Sequence, residues 1–420
     1  MKRVLLVARF FPPISGGGVY RTLGFARHLP AFGFEPVVLT GPDASVGGDP
    51  GLSASASRVE VVRAGRESAL SAARSRSSRP PWITTLARAA SWIAIPDSYA
   101  GWRGAAVRAG LERIARKDIA AIYSTSPPDT DHLVALDLHR ASGLPWVADF
   151  RDPWIALGYR DPPTPWHRAA HERLLRDVLR GATRIVAATE GTERWLAGAE
   201  PSIAPRSSII SNGFEEDEWR GLEPHRFDRF TVLHAGRLSD DRTLEPFARG
   251  LAAFLARDPA RRAAMQCLLL GPHDAEQARV VGRSGLTGVV RFEGNRSHAE
   301  TLAMEAGADA LLLVKSRSAR YRDLVPGKLY EYLGAGRPVI AVAPEGPAAD
   351  LVRRVGLGWV ADPDAPERIA DALEEAWARR APKAVPPPAA GAAGAGAADR
   401  ESFTRRRLTE RLARVLSEIA

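Results

Sequence analysis

Thirteen short runs of aliphatic and β-branched residues recur along this chain, and longer stretches with helical spacing separate most of them. The first half holds KRVLLVA, PVVLT, VEVVRA, IAAIYST, LPWVADF, TRIVAAT and SSIIS; the second half holds TVLHAG, MQCLLLG, VVRFEG, ADALLLV, RPVIAVA and GLGWVA. Such runs predict strands buried on both faces, and therefore parallel sheets with helices on either side. Two series predict an α/β chain of two doubly wound, Rossmann-like domains. A length of 420 residues agrees, because domains usually hold about 100–200 residues. The break falls near Asn212–Phe230, a polar and acidic stretch. The expected organisation is a first domain over 1–212, a linker over 213–229 and a second domain over 230–380. A low-complexity insertion over 381–399 and a helix over 400–420 follow.

The remaining features are compatible with an ordinary globular chain. Apolar residues make up 45% and charged residues 25%. One cysteine, Cys267, excludes an internal disulfide and a cysteine-based metal site, and reads as a small core residue in a reducing compartment. The N-terminal MKRVLLVARFF runs into Pro12 and Pro13 and reads as a first strand, not a signal peptide. No apolar stretch approaches the ~20 residues that span a bilayer, so a cytoplasmic location is expected, with a peripheral membrane contact left open. The net charge of +9 comes from arginines spread along the chain, with no stripe or arm of the kind that binds nucleic acid. Residues 43–57 and 65–81 are rich in Gly, Ser, Pro and Arg and read as loops. The stretch 381–398, APKAVPPPAAGAAGAGAA, reads as a disordered insertion. In the terminal helix Phe403, Leu408, Leu412 and Leu416 share one face.

Ligands of open parallel sheets bind beyond the carboxyl ends of the strands, so the residues that follow each run carry the functional signal. After the first strand, Gly16, Gly17 and Gly18 sit where strand turns into helix. Glycine there lets a phosphate or sugar approach the backbone; a tight turn with no ligand is the alternative. After LPWVADF come Arg151 and Asp152, placed for a site or for a local ion pair. In SPPDTDHL, Asp129 or Thr130 reads as a helix N-cap, which explains the Asp129 and Asp131 spacing better than a metal pair, and the same holds for Asp362 and Asp364 in VADPDAPER. After TVLHAG come Arg237 and Arg242, whose guanidiniums suit a diphosphate; Asp240 and Asp241 between them suit a solvated salt-bridge cluster instead.

The segment Asp323–Gly336, DLVPGKLYEYLGAG, is the most informative. Pro326 and Gly327 open a helix, and the N–H groups from Leu324 and Val325 to Lys328 are placed to face an anion. Glu331 lies one turn in, on the face of Lys328, where a carboxylate can accept two hydrogen bonds from vicinal hydroxyls. Asp323 precedes the helix and could hold sugar hydroxyls. A surface Asp with a Glu–Lys pair is the alternative. Gly334 and Gly336 supply the C-cap before the next strand.

Together these pieces resemble the glycosyltransferase family 4-like enzymes of the GT-B fold, over most of the chain. The resemblance rests on the PPxxGG turn, SNGF, the two basic residues five apart, EYLGAGRPVIA, GLGWVADPDAPERIADAL and the terminal FTRRRLTERL. WIAIPDSYAGW, YSTSPPDTDHL and VADFRDPW resemble one bacterial branch. It implies two domains facing across a crevice, with the last helix crossing back to the first. It implies that Gly16, Gly17 and Gly18 line the donor site, that Arg237 and Arg242 bind the diphosphate, and that Asp323 and Glu331 hold sugar and ribose. Backbone near Arg291–Glu293 would contact the base. Three positions depart from the family: Arg242 replaces Lys, Asp323 replaces Glu, and Arg151 stands where many members have His.

The expected function is metal-independent, retaining transfer of a hexosyl unit from a nucleotide diphosphate sugar to an acceptor hydroxyl, with no cofactor besides that co-substrate. Arg151, Asp152 and Asp323 are the expected catalytic residues. The acceptor is a lipid-linked sugar or a small molecule. Trp82, Trp92 and Trp102 punctuate a basic helical region that suits either an anionic bilayer or core packing. A nucleotide-sugar hydrolase or epimerase on the same fold, or a non-catalytic partner subunit, are the competing expectations.

Overall fold

A computed structural model describes residues 1–14, 17–42, 56–65, 94–155, 162–238, 242–380 and 397–420. The chain divides into two compact units, Met1–Asn212 with Arg405–Ala420, and Gly213–Thr404.

In the first unit seven strands pair in parallel: β1 (Lys2–Val7), β2 (Phe34–Thr40), β3 (Glu60–Arg63), β4 (Ile119–Ser126), β5 (Trp146–Phe150), β6 (Arg184–Ala187) and β7 (Ser207–Ile209). Their order is β3-β2-β1-β4-β5-β6-β7, with Leu5 opposite Val37 on one side and Ile122 on the other. The order reverses at β1–β4, the position where such sheets hold ligands. The helices are α1 (Gly17–His28), α2 (Arg103–Ile114), α3 (Thr130–Ser142), α4 (Pro165–Gly181) and α5 (Glu190–Ala199). Side chains alternate along each strand, so one core joins Leu5, Val7, Ile122 and Phe150 to α2 through α5, and another lies on the opposite face around Val4, Leu6 and Tyr123.

The second unit repeats the design with β8 (Phe230–Ala235), β9 (Met265–Leu270), β10 (Val290–Gly294), β11 (Ala310–Val314), β12 (Val339–Val342) and β13 (Gly358–Ala361), ordered β10-β9-β8-β11-β12-β13. Helices α6 (Glu245–Arg257), α7 (Ala275–Arg283) and α11 (Pro366–Ala378) cover one face; α8 (His298–Gly307), α9 (Gly327–Ala335) and α10 (Pro347–Arg354) cover the other. The chain then returns through α12 (Arg405–Ser417), whose Leu408, Leu412 and Leu416 join the first unit's core against α1. Fully burying one Leu or Phe contributes about 1.5–3 kcal/mol, whereas an exposed pair such as Arg353–Glu345 contributes about 0–1 kcal/mol. Packing therefore holds these sheets.

All thirteen expected strands form, in two parallel sheets. Several local expectations are corrected. Phe403 does not share the face of Leu408: a turn separates it from α12, and it packs in the second unit against Tyr330. Asp129 occupies the N-cap position of α3 without capping it; Asp97 does so from a distant segment, accepting from Thr130 N (2.9 Å) and Oγ1 (2.7 Å). Asp362 caps a turn at Asp364 N (2.7 Å), and Asp364 pairs with Arg317, while Ala365 is the N-cap of α11. Gly336 is the left-handed C-cap of α9, but Gly334 lies inside that helix, where a methyl would meet the Trp219 indole. Trp102 is buried and donates to Ala64 O (3.0 Å). Trp82, Trp92 and the insertion at 381–396 lie outside the described residues, as do Asp240 and Asp241.

Candidate functional site

In the first unit, polar groups gather at the carboxyl ends of β1, β4 and β5. Asp149 accepts from Arg21 Nε (2.7 Å) and a second Arg21 nitrogen (2.8 Å), from Tyr123 Oη (2.5 Å) and from Thr125 Oγ1 (2.9 Å). Burial would raise the Asp149 pKa, but the adjacent guanidinium outweighs it and holds the carboxyl below its ordinary range. Arg21 also donates to Ile210 O and Ser211 O, fastening the end of β7 to the helix after β1.

Arg151 follows β5 directly. Its guanidinium donates to the carbonyls of Ser126 (3.0 Å from Nε) and Pro127, and lies over Gly18, where a methyl would come within 2.8 Å of it. The expected Gly18 and Arg151 are therefore neighbours, and Arg151 is spent on backbone carbonyls. Asp152 acts on it only as a nearby charge that opposes the lowering of its pKa by burial. Gly17 begins α1; Gly16 lies outside the described residues. Asp131 accepts from Arg9 N (2.9 Å) with one oxygen, and burial pushes its carboxyl well above the usual range.

The second unit carries a denser cluster at the ends of β8 and β11. His234, next to last in β8, is fully buried. Its Nδ1 lies 2.9 Å from Leu312 O; since that oxygen can only accept, Nδ1 carries the proton and Nε2 is left as an acceptor. Lys328 Nζ sits 3.1 Å from that Nε2. Burial, reinforced by Arg242, lowers the Lys328 ammonium to about 7; burial and Lys328 keep His234 neutral, well below its ordinary range. The lysine lies across Gly236, where a methyl would be 2.2 Å from Nζ and the backbone φ is +134°. Tyr332 Oη accepts from Ala235 N (3.1 Å) and donates to Leu312 O (3.2 Å), locking α9 onto β8.

Glu331 stands one turn beyond Lys328 and faces His298, whose Nδ1 is 3.7 Å from Glu331 Oε1. The structure thus brings Arg242 and Glu331 close enough to Lys328 for both to act on its charge. Arg237 is exposed. Asp323 is exposed too and acts on Lys315, a buried lysine that desolvation lowers to about 8 and that donates to Arg322 O. The N–H of Leu324 is bonded to Tyr321 O (3.2 Å) and the side chain of Val325 packs against the core; Gly327 and Lys328 stand in the first turn of α9, where a helix leaves its N–H groups without intrahelical partners. Pro326 occupies the N-cap position, one residue earlier than expected. Arg291 pairs with Glu293 (2.8 Å), and both line a cavity of about 560 Å³ with Arg226, Arg229 and Met304. A smaller cavity of about 160 Å³ is lined by Thr243, Lys315, Ser316 and Pro363.

Sequence reasoning missed His234, His298 and Glu305. Glu305 is fully buried on α8, and neither of its carboxyl oxygens has a hydrogen-bond partner among the described residues. The available signal was its place among Leu302 and Ala306 on an apolar face.

Residues 229–379, which hold this cluster, match the family model described as Glycosyl transferases group 1. Solved structures resemble the whole chain. A glycosyltransferase from Rickettsia africae aligns over 100% of this chain and 98% of its own, at 13% identity and a TM-score of 0.63. HepE of Anabaena, solved with UDP and glucose, aligns over 99% of each chain at 17% identity and a TM-score of 0.63. Sucrose-phosphate synthase of Thermosynechococcus elongatus aligns over 100% and 99% at 17% identity and a TM-score of 0.63. No curated protein matches the chain by sequence. The architecture is GT-B, two Rossmann-like units each built on a parallel sheet. Among the described residues no helix is long and apolar enough to cross a membrane.

Proposed function

We propose that this protein is a glycosyltransferase that takes a sugar from a nucleotide diphosphate sugar, and that the cluster of Arg242, Lys328 and Glu331 binds the donor. The observation that carries this reading is the company Lys328 keeps: a half-buried ammonium against a neutral histidine, depressed by desolvation and then by a neighbouring guanidinium. Two cations held together in this way call for an anion of more than one charge, which a diphosphate supplies. The N–H groups at the start of α9 add donors and a favourable dipole. Glu331, on the same helix face, suits the vicinal hydroxyls of a ribose. The match of this segment to the group 1 family model supports the same reading. So does the likeness to HepE, a protein crystallised with UDP and glucose.

The reaction breaks the bond between the anomeric carbon and the diphosphate oxygen. Negative charge builds on the leaving diphosphate, and Arg242, Lys328 and the helix start stabilise it where it develops. Arg237, exposed beside Gly236, joins the charge stabilisation when its flexible side chain turns toward the phosphates. Asp323 holds hydroxyls of the transferred sugar. The acceptor hydroxyl gives its proton to a donor phosphate oxygen, with Asp152 as the side-chain alternative. We take the transfer to retain the anomeric configuration and to need no metal, and the acceptor to be a lipid-linked sugar or a small molecule. We place the reaction in the cytoplasm.

The test is calorimetric titration of the full chain with UDP-, GDP-, TDP- and ADP-sugars, followed by product analysis with and without acceptor. Saturable binding of one donor class is expected, weakened in Arg242→Ala and Glu331→Ala. Binding unchanged in both variants would overturn the assignment, and sugar release equal with and without acceptor would point to a hydrolase.

A further inference from the structure

We propose that α8 sets the carboxylate that receives the donor's ribose, with His298 and Glu305 acting as positioning residues for Glu331. The proposal rests on the reading of Glu331 as the ribose-binding group, and concerns how that group is held.

His298 and Glu305 are seven residues apart on α8, so they lie on the same side of the helix two turns from one another. That side meets α9, against which α8 packs. His298 is fixed at the helix start by the capping box of Ser297 and Glu300. Its two ring nitrogens face two carboxylates: Nδ1 lies 3.7 Å from Glu331 Oε1, and Nε2 lies 3.4 Å from Glu218 Oε2. The imidazole therefore lies between Glu331 and Glu218 of the turn at Glu216–Glu218, within ion-pair distance of both when it is protonated.

Glu305 approaches Glu331 from the other end of the same face. Its carboxyl has no exposure and no hydrogen-bond partner among the described residues, and the charges that act on it are Glu331 and Lys328. An ionised acid in that setting is costly, and two neighbouring acids do not both ionise readily. Burial, and then Glu331, push the Glu305 carboxyl well above its ordinary range. A neutral carboxyl is a hydrogen-bond donor; the Glu305 carboxyl has no acceptor in place among the described residues, and of the two charges that act on it Glu331 is the one that can accept. A small turn of either side chain would let one Glu331 oxygen accept from Glu305, and a carboxylate has a second oxygen with which to meet a diol.

A buried acid of this kind costs folding free energy that an apolar side chain of similar size would not. That cost separates a positioning role from a purely structural one, because the two make opposite predictions for an isosteric apolar variant. If Glu305 positions Glu331, Glu305→Met keeps or gains stability and loses ribose recognition. If Glu305 is structural, stability and all ligand binding fall together.

The experiment is calorimetric binding of UDP, GDP and ADP, and of the 2′,3′-dideoxy analogue of whichever binds most tightly, to wild type, His298→Ala, Glu305→Met and Glu305→Gln. Wild type should prefer the ribose form by roughly tenfold, the effect of losing hydrogen bonds to a charged group. In His298→Ala and Glu305→Met that preference should shrink to about twofold while affinity for the dideoxy form stays at the wild-type level. Glu305→Gln, whose amide still donates, should keep most of the preference. Variants that retain the full preference, or that lose both ligands equally, would overturn the proposal and leave the donor reading intact. If wild type binds none of the three diphosphates, or does not discriminate against the dideoxy form, the reading of Glu331 fails and the proposal with it.

Discussion

A cluster of buried charge lies beside each sheet, around Asp149 in the first unit and around Lys328 in the second, and the two clusters are satisfied to different degrees. In the first, Asp149 receives four hydrogen bonds and Arg21 spends its remaining donors on the carbonyls of Ile210 and Ser211. The network is saturated. In the second, Lys328 leans on a neutral imidazole and Glu305 has no partner on either oxygen among the described residues. A saturated buried network fixes a fold; an unsaturated one is completed by whatever binds. The contrast supports the reading of Arg21 and Asp149 as stabilising residues and the proposal that Lys328, Arg242 and Glu331 bind the donor.

The contrast can be broken most forcefully at Asp149. Asp149→Ala strands a buried guanidinium and should destabilise the first unit by about 3–5 kcal/mol in denaturant unfolding. A loss below about 1 kcal/mol would mean that the network does not hold the fold.

Smaller effects are expected in the second unit, and on binding in place of stability. Lys328→Ala and Arg242→Ala each remove a charge-assisted contact and should weaken donor binding by about 10- to 100-fold. The melting temperature of Lys328→Ala should hold or rise, because removing a desolvated cation relieves a cost. A matched loss of stability and binding would place these residues in the structural class instead.

The pH dependence is subtler still. In the free protein burial, with Arg242, lowers Lys328 to about 7, and a bound diphosphate would raise it. Above pH 7 the free protein has lost a proton that the complex requires, so donor affinity should fall as pH rises from 7 to 9, by at most about tenfold per unit. Below pH 7 the lysine is already charged and this contribution levels off. Lys328→Ala should flatten the slope between pH 7 and 9; a slope that persists in the variant would assign the proton to another group.

Much of this was legible in the sequence, and the exceptions share a cause. The strands were readable because β-branched runs encode local burial, and the αL C-cap at Gly336 because only glycine adopts φ +65° without strain. Arg242, Lys328 and Glu331 were readable because their place after a strand or in the first turns of a helix implies their direction. The misses are tertiary. Asp97 caps a helix 33 residues downstream, and Arg21 meets Asp149 across 128 residues. Glu305 is an ordinary helical glutamate until α9 covers it. Phe403 was assigned to the wrong unit because its spacing fits α12, and neither glycine nor proline marks the turn between them.

On the proposed function, the second unit binds a nucleotide diphosphate sugar through Arg242, Lys328 and Glu331. Calorimetric titration of wild type and of the triple variant Arg242→Ala, Lys328→Ala, Glu331→Ala against the four donor classes tests it most directly. One class should bind wild type saturably and the triple variant not at all, with the melting temperature of the variant unchanged or higher. Equal binding by the two proteins, or no binding of any donor by wild type, would contradict it.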